Sequence, residues 1–464
     1  MRFRAVPLLV FFMLIRAQAA PAQPEALVLV LGDQHSAYER TAQLVGLVDR
    51  LKAEHPGLPL AVILDGDTQE YGNVIAQRSG GAIDFAMYAA LAKRAPTIVN
   101  LGNHEPEFHD LAETVRRIEA TGARVVGNIR NRQTGEPFAR AALPLVLGAH
   151  EATVVGLTTD RLSTYRVAVQ PSLDLANPVV WAQANFPQLL QVERVDPDAL
   201  DRKRLGDKPL HLNIVVSHAG ITTDRQLLPL VPEGTLFAGA HDHQRFIEPF
   251  GRTVYFHSGL WNSHVSLAWL DRDGSGRARW TVEQVPVDGA ADPEMAAFIA
   301  GVTAAHLTAA DRVVVGRTTG ALTTPEAGRL VAGALRTATG AEAGFIHNTN
   351  FGAGLPAGAV TRLQFDACVR FEGKVFVAEV EGARLQALLA AANLTPETPF
   401  AQRKGEFNFG VGPETIDPAR TYRIATAEYT ARNTDRYFGA PAIAWREVPG
   451  LQVKAAALAA LAAP

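Results

Sequence analysis

The stretch Ala26-Leu27-Val28-Leu29-Val30-Leu31 runs without a break into Gly32-Asp33-Gln34-His35. An apolar run of this length reads as a strand, and the polar cluster at its end as a functional loop. Four more runs repeat the pattern. Leu60–Leu64 leads into Asp65-Gly66-Asp67, and Thr97–Leu101 into Gly102-Asn103-His104-Glu105. His211–Val216 leads into Ser217-His218, and Thr235–Ala238 into Gly239-Ala240-His241-Asp242-His243. In open α/β sheets ligands bind just beyond the carboxyl ends of the strands, so these five loops are expected to share one crevice.

Further strands are expected at Arg124–Val126 and Thr153–Gly156, and helices at Thr41–Glu54 and Asp110–Thr121, where apolar residues recur near every 3.6 positions. Strands alternating with helices from Ala26 to about Asp288 make this half a layered α/β unit. Asn177 to Lys208, with its charges and prolines, reads as a long loop or insertion. Pro293–Ala310 reads as a helix joining the halves. A second unit runs from about Arg312 to Pro464. It holds a helix at Pro325–Thr337, a Gly/Asn-rich loop at Asn348–Gly358, strands near Lys374–Val380 and Arg423–Ala427, and a helix at Lys454–Ala463.

Composition narrows the chemistry. The 464 residues are 47% apolar, which excludes a disordered chain. A net charge of −3 argues against a protein that coats nucleic acid or an anionic membrane. The single cysteine, Cys368, excludes an intramolecular disulfide, a zinc ribbon and a CxxC redox site. Any metal must therefore be held by His, Asp, Asn or Glu. At the N-terminus, Arg2 and Arg4, the apolar run Ala5–Ile15 and the small residues Ala17-Gln18-Ala19 form a signal-peptide pattern over residues 1–22. An exported protein, periplasmic or secreted, is expected.

The loop residues suit a pair of first-row divalent ions. Such ions need four to six ligands each and sit about 3.5–4 Å apart across a shared carboxylate. Asp33 and His35 can face one ion, and Asp67 has two oxygens to divide between ions. Asn103 offers a neutral oxygen, and His218, His241 and His243 offer imidazole nitrogens. Mixed N/O ligation favours Zn, Mn, Fe or Co over Mg or Ca.

In the order of these motifs, the chain resembles the calcineurin-like metallophosphoesterases, more narrowly the bacterial 5'-nucleotidase family. Gly156-Leu157-Thr158-Thr159, His257-Ser258-Gly259 with Trp261, and Leu355-Pro356-Ala357-Gly358 are similar to that family as well. The resemblance implies an N-terminal β-sandwich catalytic domain flanked by helices (26–288), a linker helix (289–311) and a smaller C-terminal α/β substrate-specificity domain (312–464). It implies one metal on Asp33, His35, Asp67 and His243, and another on Asp67, Asn103, His218 and His241. A metal-bound hydroxide would attack phosphorus, while His104, beside Asn103 and facing the substrate, would stabilise charge or protonate the leaving oxygen.

Glu107 stands where the family has an Asp that orients this His. Phe371 and Tyr429 match two rings that stack a base, and Asp435 an acidic residue near the sugar. Two departures stand out. The family's Asn-Gly-Gly-Gly-Ile-Arg loop is His347-Asn348-Thr349-Asn350-Phe351-Gly352 here, with glycine at the arginine position, and its Gly-Gly-Asp-Gly is Asn433-Thr434-Asp435-Arg436. The expected activity is hydrolysis of a small-molecule phosphoester, with nucleotides among the candidates. The alternatives are another ester on the same scaffold (a cyclic nucleotide, a nucleotide sugar, a thiosulfate-type substrate) and an inactive ligand-binding relative.

Overall fold

A computed structural model describes residues 24–192 and 208–462. The segment read from sequence as a signal peptide, residues 1–22, lies outside them. Two six-stranded sheets stack face to face in the N-terminal half. The first has the order 278–286, 264–272, 26–31, 60–65, 97–100, 124–126, and the second 245–250, 253–258, 236–239, 211–218, 150–158, 142–147. In the first sheet strands 26–31, 60–65, 97–100 and 124–126 are parallel, with Leu29 opposite Val62 and Leu64 opposite Val99. Strands 150–158, 211–218, 236–239 and 253–258 are parallel in the second. Antiparallel strands close both edges of the second sheet and the 278–286 edge of the first.

The apolar runs are continuous because both faces of each sheet are covered. Ala26, Val28 and Val30 face the second sheet and meet residues such as Ile214, Val216 and Ala238. Leu27, Leu29 and Leu31 point the other way, onto helices 41–54, 82–92 and 111–120. On the far side, Val155, Val215 and Phe237 pack on helices 178–189 and 221–227. The result is a sandwich with helices on both outer faces.

Two expectations change. Asn177–Lys208 is not loop throughout: Pro178–Leu189 is a helix, capped by Asn177, whose side chain accepts from the N–H groups of Val179 and Val180. Pro178 fits the first turn, where no backbone donor is needed, so a proline counted as a breaker marks a start. The helix expected over Pro293–Ala310 ends at His306 and packs on the N-terminal half, with Met295 in that core and Ile299 and Val302 against it.

In the C-terminal half a five-stranded sheet has the order 408–411, 343–347, 421–427, 374–381, 446–452. Helices 324–339 and 453–462 cover one face and helix 382–390 the other. The first of these helices starts at a reciprocal cap between Thr323 and Glu326 and stops at Gly340, whose φ is 62°.

Candidate dinuclear metal site

Parallel strands end on one side of a sheet, so the sandwich carries its loops to a common edge. There Asp33, His35 and His243 have ligand atoms within 4.8 Å of one another, and so do Asp67, His218 and His241. Asp67 reaches both groups: its Oδ2 lies 2.9 Å from His218 Nε2 and 4.0 Å from His35 Nε2. The His35 and His243 ring centroids are 4.5 Å apart. Asn103 shares a cavity of about 330 Å³ with Asp67, His104 and His241.

Asp33, His35, Asp67, His241 and His243 all have positive φ, between 49° and 82°. Such backbone is uncommon for residues other than glycine and gathers where geometry is held for function. Gly66 and Gly102 make the close approach possible: a Cβ on Gly102 would meet Asp67 Oδ1 at 2.3 Å. Glu105 holds the loops together. Its buried carboxylate accepts from the N–H groups of Asp67, Thr68 and Gly102 at 3.0, 2.9 and 2.6 Å.

The donor set fits divalent ions. Asn103 Oδ1, His35 Nε2, His241 Nδ1 and His243 Nδ1 are buried with no hydrogen-bond partner, a costly state unless something else occupies them. Burial holds His35, His241 and His243 well below the usual imidazole range, in the neutral form that ligates metal. His218 goes the other way, up to about 10: burial opposes its charge, but Asp67 outweighs it. An ion bound there would compete with that proton.

His104, 18% exposed, lines the same cavity, and its Nδ1 is 2.8 Å from Glu107 Oε1. Burial disfavours its charge, but Asp67, Glu70 and Glu107 together hold it well above the usual imidazole range. Phe371 and Tyr429 line the cavity from the C-terminal half. Neither is a core residue; Phe371 is half-buried and Tyr429 is 37% exposed. Asp435 is not brought to this cavity. It is exposed and borders a neighbouring cleft, while the buried Glu406 reaches both that cleft and the cavity beside Tyr429, tied to Arg436 at 2.6 Å.

Residues 26–245 match the calcineurin-like phosphoesterase family and residues 301–441 the 5'-nucleotidase C-terminal domain. The chain belongs to the two-domain calcineurin-like phosphoesterases. The chain resembles the 5'-nucleotidase precursor of Thermus thermophilus, with 16% identity and a TM-score of 0.61 over 94% of this chain and 96% of that one. It resembles the sulfate thiohydrolase SoxB from the same genus at 16% identity and 0.62, over 96% and 95%. The Candida albicans 5'-nucleotidase gives 12% and 0.57, over 95% and 98%. At these identities the likeness is one of fold. No curated protein matches.

Sequence reading missed two residues beside the candidate ligands. Glu70 is buried, with Oε2 3.2 Å from His35 Nδ1 and 3.8 Å from His104 Nδ1. It lies three residues past Asp67 without an apolar run to flag it. Glu406, which lines the cavity, comes from the other half of the chain, and no local pattern marks it.

Proposed function

We propose that this protein is an exported, dinuclear-metal-dependent hydrolase of small phosphomonoesters, of the 5'-nucleotidase type. The observation that carries the reading is the pair of neighbouring three-residue ligand groups, Asp33, His35 and His243 beside Asp67, His218 and His241, with Asp67 Oδ2 4.0 Å from His35 Nε2 and His104 opening onto the same cavity. In this reading Asp33, His35, Asp67 and His243 hold one ion, and Asp67, Asn103, His218 and His241 the other. Bound there, two divalent ions of the Zn, Mn, Fe or Co class supply Lewis acidity and an activated water. His104 faces the transferred group, stabilises its charge and donates a proton to the leaving oxygen. Glu107, 2.8 Å from Nδ1, keeps the ring oriented and charged. Phe371 and Tyr429 offer two aromatic surfaces to the leaving group. Residues 26–288 form the catalytic unit and 312–464 the unit that sets specificity.

The test is turnover of p-nitrophenyl phosphate, its bis ester and a nucleotide panel under each divalent ion, with His104→Ala as control. Hydrolysis of monoesters that His104→Ala lowers by about 10²–10⁴ supports the reading. Cleavage of the bis ester alone would make the protein a phosphodiesterase, and no cleavage under any ion a ligand-binding relative.

A further inference from the structure

The cavity beside the candidate ligands has two ends of opposite character. At one end stand the ligand groups and His104, which suit a phosphoryl group. The C-terminal half builds the other end, from His347, Phe371, Glu372, Glu406 and Tyr429 among others. Among the described residues that line the cavity, none is a lysine or an arginine. A second anionic group on the ester would meet carboxylates there rather than a cation.

Glu406 is 8% exposed; its Oε1 accepts from Arg436 Nη2 at 2.6 Å, while Oε2 has no hydrogen-bond partner. Arg436 does not belong to Glu406 alone. The same Nη2 lies 3.8 Å from Asp242 Oδ1, so one guanidinium serves two carboxylates. Arg161 acts on Glu406 as well, from an exposed position outside the lining. Burial still pushes the Glu406 carboxyl up to about 7 against both guanidiniums. Glu372 is exposed, and its Oε1 accepts from the N–H groups of Gly373 and Lys454 at 3.1 and 3.0 Å. The Lys454 ammonium is taken by Asp366 at 2.7 Å. His347 adds no positive charge: burial holds it down at about 3, with its ring 4.9 Å from that of Tyr429. A buried carboxylate oxygen without a donor calls for one, and aromatic faces beside it attract cations.

We propose that this end of the cavity selects a cationic leaving group, an ammonium or a protonated heterocycle, with Glu406 as the specificity-determining residue and Phe371 and Tyr429 as the aromatic faces beside it. This rests on the hydrolase reading above. It narrows the substrates to esters with one phosphate and a positive charge on the alcohol portion, and it disfavours those with a second phosphate or a carboxylate there.

The probes are three non-hydrolysable benzylphosphonates that differ only in the para substituent: aminomethyl, methyl or carboxylate. Each is titrated into metal-loaded full-length protein and read both as a shift in thermal midpoint and as inhibition of p-nitrophenyl phosphate turnover. The ammonium probe is expected to bind about tenfold or more tighter than the carboxylate probe, with the methyl probe between them. Glu406→Gln removes the charge at the same volume and should shrink that ratio by about threefold or more. Equal affinities in the parent, or tightest binding of the carboxylate probe, overturn the proposal. So does a ratio that Glu406→Gln leaves unchanged, which would make Glu406 only a partner for Arg436. If Glu406→Gln does not fold, Tyr429→Leu decides: loss of the ring should weaken the ammonium probe more than the methyl probe, and an equal loss for both overturns the proposal. Should the parent cleave no ester under any ion, the hydrolase reading falls, while the thermal shifts still read the charge preference.

Discussion

Glu70 shows how much one side chain can couple. Its carboxylate lies 3.2 Å from His35 and 3.8 Å from His104, and its Oε1 accepts from the Gly72 N–H at 2.8 Å. A carboxylate on the far nitrogen of a ligating imidazole sets ring orientation and basicity, and its loss typically weakens metal affinity about 10–100-fold. Glu70→Gln, which keeps the volume, should release metal at correspondingly lower chelator concentration, measured by competition, with the metal-free thermal midpoint unchanged. Asp84 is a second buried carboxyl, pushed up to about 7 by burial even though Tyr38 and Ser36 donate to it at 2.8 and 3.0 Å. The folded protein holds this proton where the unfolded chain, near its ordinary 3.8, releases it. Stability from this group is therefore present at low pH and declines as pH rises from about 4 to 7. Asp84→Asn should flatten that decline, by at most about 4 kcal/mol, in thermal midpoints taken across the interval.

Among the elements, helix 324–339 carries a choice between two opposing effects. Gly328 in its interior loses about 1 kcal/mol of helix propensity against alanine. A Cβ there would meet Phe409 Cδ2 at 2.1 Å, and Phe409 is 3% exposed in the core between helix and sheet. Overpacking at such a site costs about 1–3 kcal/mol, so Gly328→Ala should lower stability despite the better propensity, as chemical denaturation would report. The strands that carry ligands were legible because each is a short apolar run with a polar end. Strand 26–31 and helix 41–54 have the expected limits. Helix 178–189 was not, because Pro178 and Pro187 hid it; what builds it is the Asn177 cap and the packing of Ala182 and Phe186 on the second sheet.

For the molecule as a whole, the two halves grip the loop that carries two candidate ligands. Asn348 Nδ2 donates to Asp242 O at 3.0 Å, between His241 and His243, and Arg436 Nη2 comes within 3.5 Å of His241 Nε2. The buried Arg403 donates to Gln244 Oε1 at 2.6 Å and lies over the Phe246 ring at 4.8 Å. Ions bound to the folded state alone add to its stability by mass action. Chelation should therefore lower the thermal midpoint by several degrees, and divalent ions added back should restore it. Asn348→Ala leaves the Asp242 carbonyl and the Phe407 N–H without their partner, at a cost of about 1–3 kcal/mol. It should lower the midpoint of metal-loaded and metal-free protein alike.

What local sequence could carry, it carried: alternation and run length mark strands, and a polar cluster after each marks a loop with ligand chemistry. That Asp33, His35, Asp67, Asn103, His104, His218, His241 and His243 would gather at one edge was readable, because each lies at or just past the end of a strand and parallel strands bring those ends together. Glu70 and Glu406 were not. Their roles depend on burial and on neighbours far away in the chain. Asp435 makes the same point in reverse, since a match in order along the chain did not bring it to the cavity that His104 and Tyr429 line. Motif order follows from the strands, but which charge faces which cavity is set by how the two halves pack, and packing is a property of surfaces rather than of neighbours in sequence.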